Sequence, residues 1–217
     1  MNVHIATVGT TKEPIIDGVL YYPTRPEKVY LIYTEGSRRV AEEIRESLRK
    51  SLPELDVGFG SEVDEYSLED VIESILILIK KERHNRVFIN ITGGTKVMAS
   101  AALASAYFAG VNAYYIAEGD GKPAERIKDL PIPELQLKDL LKEKDKRILT
   151  ELLKQEDREE KYNMTRISSK LVESPKSLSY HMNELERRGL VRKNRSGRIT
   201  IPELTHTGKL LLLLEKG

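Results

Sequence analysis

The sequence predicts an α/β domain with a mainly parallel sheet and helices on both faces, followed by a smaller domain of helices and two short strands. Three observations carry this. Through residue 117, short apolar runs alternate with helical patterns, the rhythm of parallel strands joined by crossover helices. After Leu130-Pro-Ile-Pro133 that rhythm gives way to shorter, closely spaced helices. Charge divides at about the same place. Residues 1–136 hold 16 Lys and Arg against 21 Asp and Glu, a net of −5, whereas residues 137–217 hold 19 against 13, a net of +6. Two halves of opposite sign point to two domains, 1–133 and 134–217, with different partners, nucleic acid for the basic one.

In order along the chain, Val3–Val8 reads as a first strand running into Gly9-Thr10-Thr11. Lys28–Tyr33 is a second apolar strand, and Ser37–Leu52 a helix with Val40, Ile44 and Leu48 on one face. Leu55–Phe59 is a weak third strand. Ser67 caps the next helix, with Asp70 three residues on as an approximate capping box and apolar residues from Leu68 to Ile79. Val87–Ile91 is a buried strand, an Ala-rich helix follows from near Thr95, and Asn112–Ala117 is the fifth strand. In the second domain a charged helix runs from Lys138 to about Gln155, with Ile148, Leu149, Leu152 and Leu153 as its stripe. Asp157–Lys161 is a charged turn. Then come a helix at Asn163–Leu171, a turn at Val172–Pro175, a helix from Lys176 to Arg188, two short strands around a basic turn, and a last helix at His206–Lys216.

Composition excludes several classes. There is no cysteine among the 217 residues, which removes disulfides and thiolate metal sites and fits a reducing cytoplasm. Met-Asn-Val-His-Ile-Ala at the start lacks a basic segment before a long apolar core, so no signal peptide is expected. The longest apolar run, Leu210–Leu214, is too short to span a membrane, so none is expected as a partner. No His, Asp and Glu cluster has metal-ligand spacing, and neither a metal nor a cofactor is expected.

The stretch Thr92-Gly93-Gly94-Thr95-Lys96 sits where a buried strand turns straight into a helix. Glycines let a backbone approach a ligand closely, a helix N-terminus offers unbonded N–H groups, and Lys96 adds a full charge. The spacing is neither a phosphate-binding Gly-x-x-x-x-Gly-Lys-Ser/Thr loop nor a Gly-x-Gly-x-x-Gly fingerprint. Ligands of parallel sheets bind beyond the carboxyl ends of the strands, so Gly9–Thr11 and Gly93–Lys96 are expected to converge on one pocket for an anion or nucleotide. The glycine pair also suits a tight turn that holds no ligand, and Thr10 and Thr11 also suit capping of a following helix.

Asn90-Ile-Thr-Gly-Gly-Thr-Lys96, with Thr-Val-Gly-Thr after the first strand, resembles the CARF domain, the Rossmann-like sensor of CRISPR-associated proteins, over about residues 1–130. The second domain offers helix, short turn, helix and two-stranded basic wing, a helix-turn-helix arrangement. Ser174 can cap its second helix and Pro175 suits the first position. With Leu178, Met182 and Leu185 facing the core, Lys176, Ser177, Ser179, Tyr180, Asn183 and Arg187 turn outwards, where bases or phosphates could meet them. Arg192, Lys193, Arg195 and Arg198 form the cationic tip of the wing. The run from Ser177 to Val191 is similar to winged helix-turn-helix regulators, which covers about residues 140–217.

Together the two resemblances imply a CRISPR-associated transcriptional regulator. It would be a cytoplasmic homodimer that binds double-stranded DNA through its winged helix. Its two sensor domains would share one pocket for a cyclic oligoadenylate, the tetraadenylate foremost. Carried over by position, Gly93, Gly94, Thr95 and Lys96, with Thr92 beside them, would hold phosphates and ribose. Gly9, Thr10 and Thr11 would line the pocket from the first strand. Some CARF proteins slowly cleave their own ligand, and a ring nuclease tethered by its winged helix is the alternative. No general base is evident for it, since His4 lies within the first strand and His84, His181 and His206 lie far from the motif.

Overall fold

Five segments, Asn2–Thr7 (β1), Lys28–Tyr33 (β2), Asp56–Glu62 (β3), Arg86–Asn90 (β4) and Asn112–Ile116 (β5), pair as parallel strands. A sixth, Ile127–Asp129 (β6), closes the edge antiparallel to β5. This geometry is that of a computed structural model, which describes residues 1–132, 141–156, 161–196 and 199–215. The chain divides into two units, residues 1–136 and 137–216. The expected boundary at 133/134, residues 138–140 of the helix expected from Lys138, and residues 157–160 of the expected charged turn lie outside the described residues. Leu141 and Lys142 are described and not helical, so that helix begins later than expected, at Glu143.

The sheet order in the first unit is β3-β2-β1-β4-β5-β6. Its helices are Glu13–Tyr21 (α1), Arg38–Ser51 (α2), Leu68–Lys81 (α3), Lys96–Ala109 (α4) and the single turn Pro123–Arg126 (α5). Right-handed crossovers that step outward from β1 to β3 put α1 and α2 on one face. Those that step the other way from β3 to β5 put α3 and α4 on the opposite face. Alternate residues of β1 follow this division. Ala6 and Val8 are buried with Ile15 and Val19 of α1 and with Ala41, Ile44 and Leu48 of α2. Val3 and Ile5, of the other parity, are fully buried as well. Helix α3 buries Val71, Ile72, Ile75, Leu76, Leu78 and Ile79, while α4 buries mostly alanine and so lies close to its neighbours.

Most of these elements fall where apolar periodicity places them; three do not. α1 has no bounds in the sequence reading, which offers only a helix that Thr10 and Thr11 could cap, because Glu-Pro-Ile-Ile-Asp-Gly-Val-Leu-Tyr has a central glycine and no side-chain cap, although Pro14 is well placed in a first turn. α5 and β6 are too short to carry a period. Ser67 caps α3 by accepting the Asp70 N–H at 3.2 Å, but the Asp70 carboxylate accepts the Asp64 N–H at 2.8 Å, so only half of the capping box forms.

One polar group sits inside the core. His4 is fully buried among Tyr22, Phe88 and Tyr114, with Nδ1 2.9 Å from Tyr114 Oη, which donates to the Gly18 carbonyl. Burial lowers its pKa to about 4 and keeps the ring neutral. It is a core histidine, as its place in the strand suggests. At the amino end of the sheet the buried Glu82 carboxylate accepts from Tyr30 Oη at 2.7 Å and Asn85 Nδ2 at 2.6 Å, and faces Lys28 Nζ at 3.4 Å. Burial works against its charge, yet these partners hold it below the usual carboxylate range.

The second unit contains Glu143–Leu153 (α6), Met164–Leu171 (α7), Pro175–Arg187 (α8), the antiparallel pair Val191–Ser196 (β7) and Ile199–Leu204 (β8), and His206–Glu215 (α9). Caps fix the two middle helices. Asn163 accepts the Arg166 N–H at 3.0 Å, and Ser174 accepts the Ser177 N–H at 3.2 Å with Pro175 following. Between them, Val172 takes a left-handed conformation with φ of 55°. Its N–H reaches Ser169 O and the Glu173 N–H reaches Ser168 O, the bond pattern of a Schellman turn. That turn normally carries glycine, and a β-branched residue there is strained. Leu178, Met182 and Leu185 of α8 are fully buried, so one face of α8 packs inward and the other is left to solvent.

The His4 pKa has a consequence for stability. The unfolded chain takes up this proton near pH 6.5, whereas the folded one resists it until about pH 4. Folding free energy is therefore full above about pH 6.5 and declines by about 3 kcal/mol as pH falls towards 4. Urea unfolding of His4→Gln across that window should show a correspondingly flatter pH dependence.

Candidate functional site

Strand order reverses at β1: the chain builds outward from β1 to β3, then returns to place β4 on its other side. The loops leaving β1 and β4 therefore stand side by side with no connection between them, the switch point at which open α/β sheets bind ligands. Here they enclose a cavity of about 260 Å³. Gly9, Thr10 and Thr11 line it from the first loop, Thr92, Gly93 and Gly94 from the second. Pro14 and Ile15 of α1 and Ile116 and Ala117 at the end of β5 give it an apolar wall. Glu118 and Arg126 complete it.

The glycines are required here by packing between the two loops. A Cβ on Gly93 would lie 2.3 Å from the Thr7 carbonyl oxygen and 2.7 Å from Ile15 Cδ1. One on Gly9 would lie 2.6 Å from the Gly94 nitrogen. Gly94 has a φ of 90°, which a side chain rarely adopts. Thr7 Oγ1 donates to the Gly93 carbonyl at 2.6 Å, and Thr92 is fixed by Asn90 Oδ1, which accepts its N–H at 3.0 Å. Thr92 Oγ1 in turn accepts the Ile116 N–H at 3.0 Å, tying the loop to β5. The tight-turn reading of the glycines is thus correct in itself, and the cavity is what the turn leaves open.

Of the eight residues predicted from sequence, six line the cavity and two do not. Thr95 caps α4, accepting the Met98 N–H at 3.2 Å and donating to the Glu65 carbonyl at 3.0 Å. Lys96, the first residue of α4, is exposed and off the cavity wall. Thr10 and Thr11 do not cap α1, whose N-cap is Lys12 without a side-chain bond. Lys12 is itself tied to Glu43 on α2 at 2.6 Å. The cation that does line the cavity is Arg126, which the sequence reading missed. It lies 30 positions beyond Lys96, and the antiparallel return into β6 brings it back. Among the described residues, no group of three or more His, Cys, Asp or Glu could hold a metal ion.

In the second unit, Lys176, Ser179, Tyr180, Asn183 and Arg187 of α8 are exposed, as are Arg192 and Arg195 of β7. Ser177 is half-buried and accepts a hydrogen bond from Lys144 Nζ at 2.7 Å. Lys193 is paired with Glu186 at 2.7 Å and donates to Asn183 Oδ1 at 2.6 Å, and Arg187 is paired with Glu184 at 2.7 Å. Among the described residues, Lys176, Arg192 and Arg195 form no ion pair; Arg198 lies outside them. Asp145, buried on α6, accepts from His181 Nδ1 and Arg188 Nη1, each at 3.2 Å, and so fixes α8 against α6.

The loop packing yields a test. Gly93→Ala should lower the unfolding free energy by about 1–3 kcal/mol, the usual cost of overpacking, measured by chemical denaturation without ligand.

Three comparisons place the chain. An uncharacterised protein of Archaeoglobus fulgidus is 27% identical over 223 residues, covering 98% of this chain and 97% of its own length. Csm6 of Enterococcus italicus, solved with cyclic hexa-2'-fluoro-hexa-dAMP bound, is 15% identical over 88% of this chain with a TM-score of 0.51, a likeness of fold. Can2 of Sulfobacillus thermosulfidooxidans, solved with cyclic tetra-adenylate, is 16% identical over 99% of this chain with a TM-score of 0.49. The chain spans 56% of the Csm6 chain and 63% of the Can2 chain. Residues 2–120, more than half of the sequence and all five parallel strands with the cavity loops between them, match the family HFX_2341_N:-like, N-terminal, and the chain belongs to that family.

Proposed function

We propose that the first unit is a CARF-type sensor for a cyclic oligoadenylate and that the second is a winged helix-turn-helix that binds double-stranded DNA, together a ligand-responsive regulator. The observation that carries the sensor reading is the cavity itself, where two interlocked glycine loops meet beside the N-terminus of α4. Apart from the Met98 N–H, which Thr95 caps, the first N–H groups of that helix have no intrahelical acceptor and favour an anion. At about 260 Å³ the cavity is smaller than the 300–1,000 Å³ usual for small-molecule sites, enough for one unit of a larger ligand. A ring of several nucleotides has to extend beyond it. A second copy related by a twofold axis offers the same surface again, which suits a ring with matching symmetry. Exposed Lys96 then serves the part of the ring outside the cavity. The ring-shaped nucleotide held by Csm6, similar in fold, supports this class of ligand; the tetramer is favoured by the resemblance of Thr92–Lys96.

The DNA reading rests on α8 and β7. α8 buries Leu178, Met182 and Leu185 and turns Lys176, Ser179, Tyr180 and Asn183 to solvent, as a recognition helix would. Arg192 and Arg195 stand on the adjoining hairpin, free to meet phosphates. Ligand and DNA would be coupled reciprocally, each favouring the same arrangement of the dimer or opposing ones.

Calorimetric titration with cyclic tetraadenylate, beside linear oligoadenylate and ATP, should show one cyclic molecule bound per dimer. Chromatography of the recovered ligand separates sensing from ring cleavage. Lys96→Ala should abolish the ligand response and leave basal DNA binding unchanged; a wild-type response in that variant would sink the reading.

For DNA, the three cations of α8 and β7 that form no ion pair among the described residues give a dimer about six phosphate contacts and a slope of log K against log salt of about −5. Arg195→Ala, which removes two of the six, should bring the slope to about −3.5 in a fluorescence anisotropy titration.

A further inference from the structure

The anionic ligand of the proposed reading needs a cation within the cavity, and the cation present there is not the lysine of the glycine motif. Arg126 lies at the end of α5, where the chain turns back into β6. Its carbonyl accepts the Ala117 N–H at 2.9 Å, which ties the two ends of the loop 117–126 together and sets the residue on the cavity wall. Its guanidinium is held by α1, Nη2 donating to Asp17 Oδ2 at 2.8 Å, with both side chains about three-quarters buried. Asp17 uses one edge of a five-donor fork. Nε is buried from solvent and has no acceptor among the described residues.

Among the described residues the anionic partner of Arg126 is the one Asp17 carboxylate, so the outer edge of the fork keeps donors to spare in a largely buried setting, where an unmade hydrogen bond is costly. A phosphate supplies what is missing. It is planar-fork compatible, takes two parallel N–H bonds, and carries the opposite charge. Glu118, on the same cavity, repels such a ligand, and Arg126 is the cation on the cavity wall that offsets it.

We propose that Arg126 is a ligand-contact residue of this cavity, binding a phosphate of the nucleotide through its guanidinium while Asp17 sets the orientation of the fork. The inference rests on the reading of the cavity as an anion site and assigns that site its cation.

Asp17→Asn and Arg126→Gln separate this role from a tether between α1 and α5, because both break the ion pair but only one removes the charge. Binding of cyclic tetraadenylate, cyclic hexaadenylate and ATP is measured calorimetrically for wild type and both variants, with thermal melting alongside. Arg126→Gln should weaken binding of whichever probe wild type takes up by tenfold or more. Asp17→Asn, which keeps the Arg126 charge and loses only its orienting partner, should weaken binding by clearly less than Arg126→Gln. Arg126→Lys, which keeps the charge and loses the fork, should fall between and serves if the glutamine variant does not fold. Equal weakening in Asp17→Asn and Arg126→Gln, with equal loss of melting temperature, would reduce the pair to a tether. Wild-type affinity in Arg126→Gln would overturn the contact while leaving the cavity's role intact. A wild-type protein that binds none of the three probes would overturn both.

Discussion

The reversal of strand order at β1 is the constraint on which the rest of the first unit depends. With β2 on one side and β4 on the other, both parallel to it, the carboxyl ends of β1 and β4 are neighbours that no connection spans. Handed crossovers then commit α1 and α2 to one face and α3 and α4 to the other, so the first turn of α4 rises beside the loop after β1. Everything chemically distinctive about the unit sits in that gap. The buried positions of the strands are mostly apolar, with His4, Thr7 and Asn90 as polar exceptions. These polar groups fix the two loops, through Thr7 on Gly93 and Asn90 on Thr92, and tie β1 to β5, through His4 on Tyr114.

The second unit is built on a different economy. Its helices are short and depend on caps at Asn163 and Ser174, a strained turn at Val172 and a buried carboxylate at Asp145. A Schellman turn closed on valine shows that the hydrogen bonds and the packing of α7 and α8 outweigh a local preference worth about 1–2 kcal/mol. Several of its basic residues are already neutralised, Lys193 by Glu186 and Arg187 by Glu184. The positive surface that a partner meets is consequently smaller than a count of lysines and arginines suggests.

Much of this was legible in the sequence. Short apolar runs of about five residues mark β1, β2, β4 and β5, and the 3.6-residue stripes mark α2, α3 and α8, because burial on one face leaves a period. The convergence of Gly9–Thr11 and Thr92–Gly94 followed from their positions at the ends of parallel strands. What escaped has physical reasons. α1 hides behind a proline and a glycine, and α5 and β6 are shorter than any period. Spacing could place Lys96 at a helix start but not show where its side chain points. Arg126 lies 30 residues further along and reaches the cavity by tertiary structure alone.

The close packing of Gly9 against Gly94 and of Gly93 against Thr7 makes the cavity mechanically lopsided. One wall is backbone on backbone, with no side chain to swing and no space to yield, and it behaves as a fixed jaw. The opposite wall is made of longer side chains on a loop between β5 and β6, held by one backbone hydrogen bond at Ala117 and one ion pair to α1. Any shape change on occupancy is channelled to that side, and from it into α1 and the outer edge of the sheet.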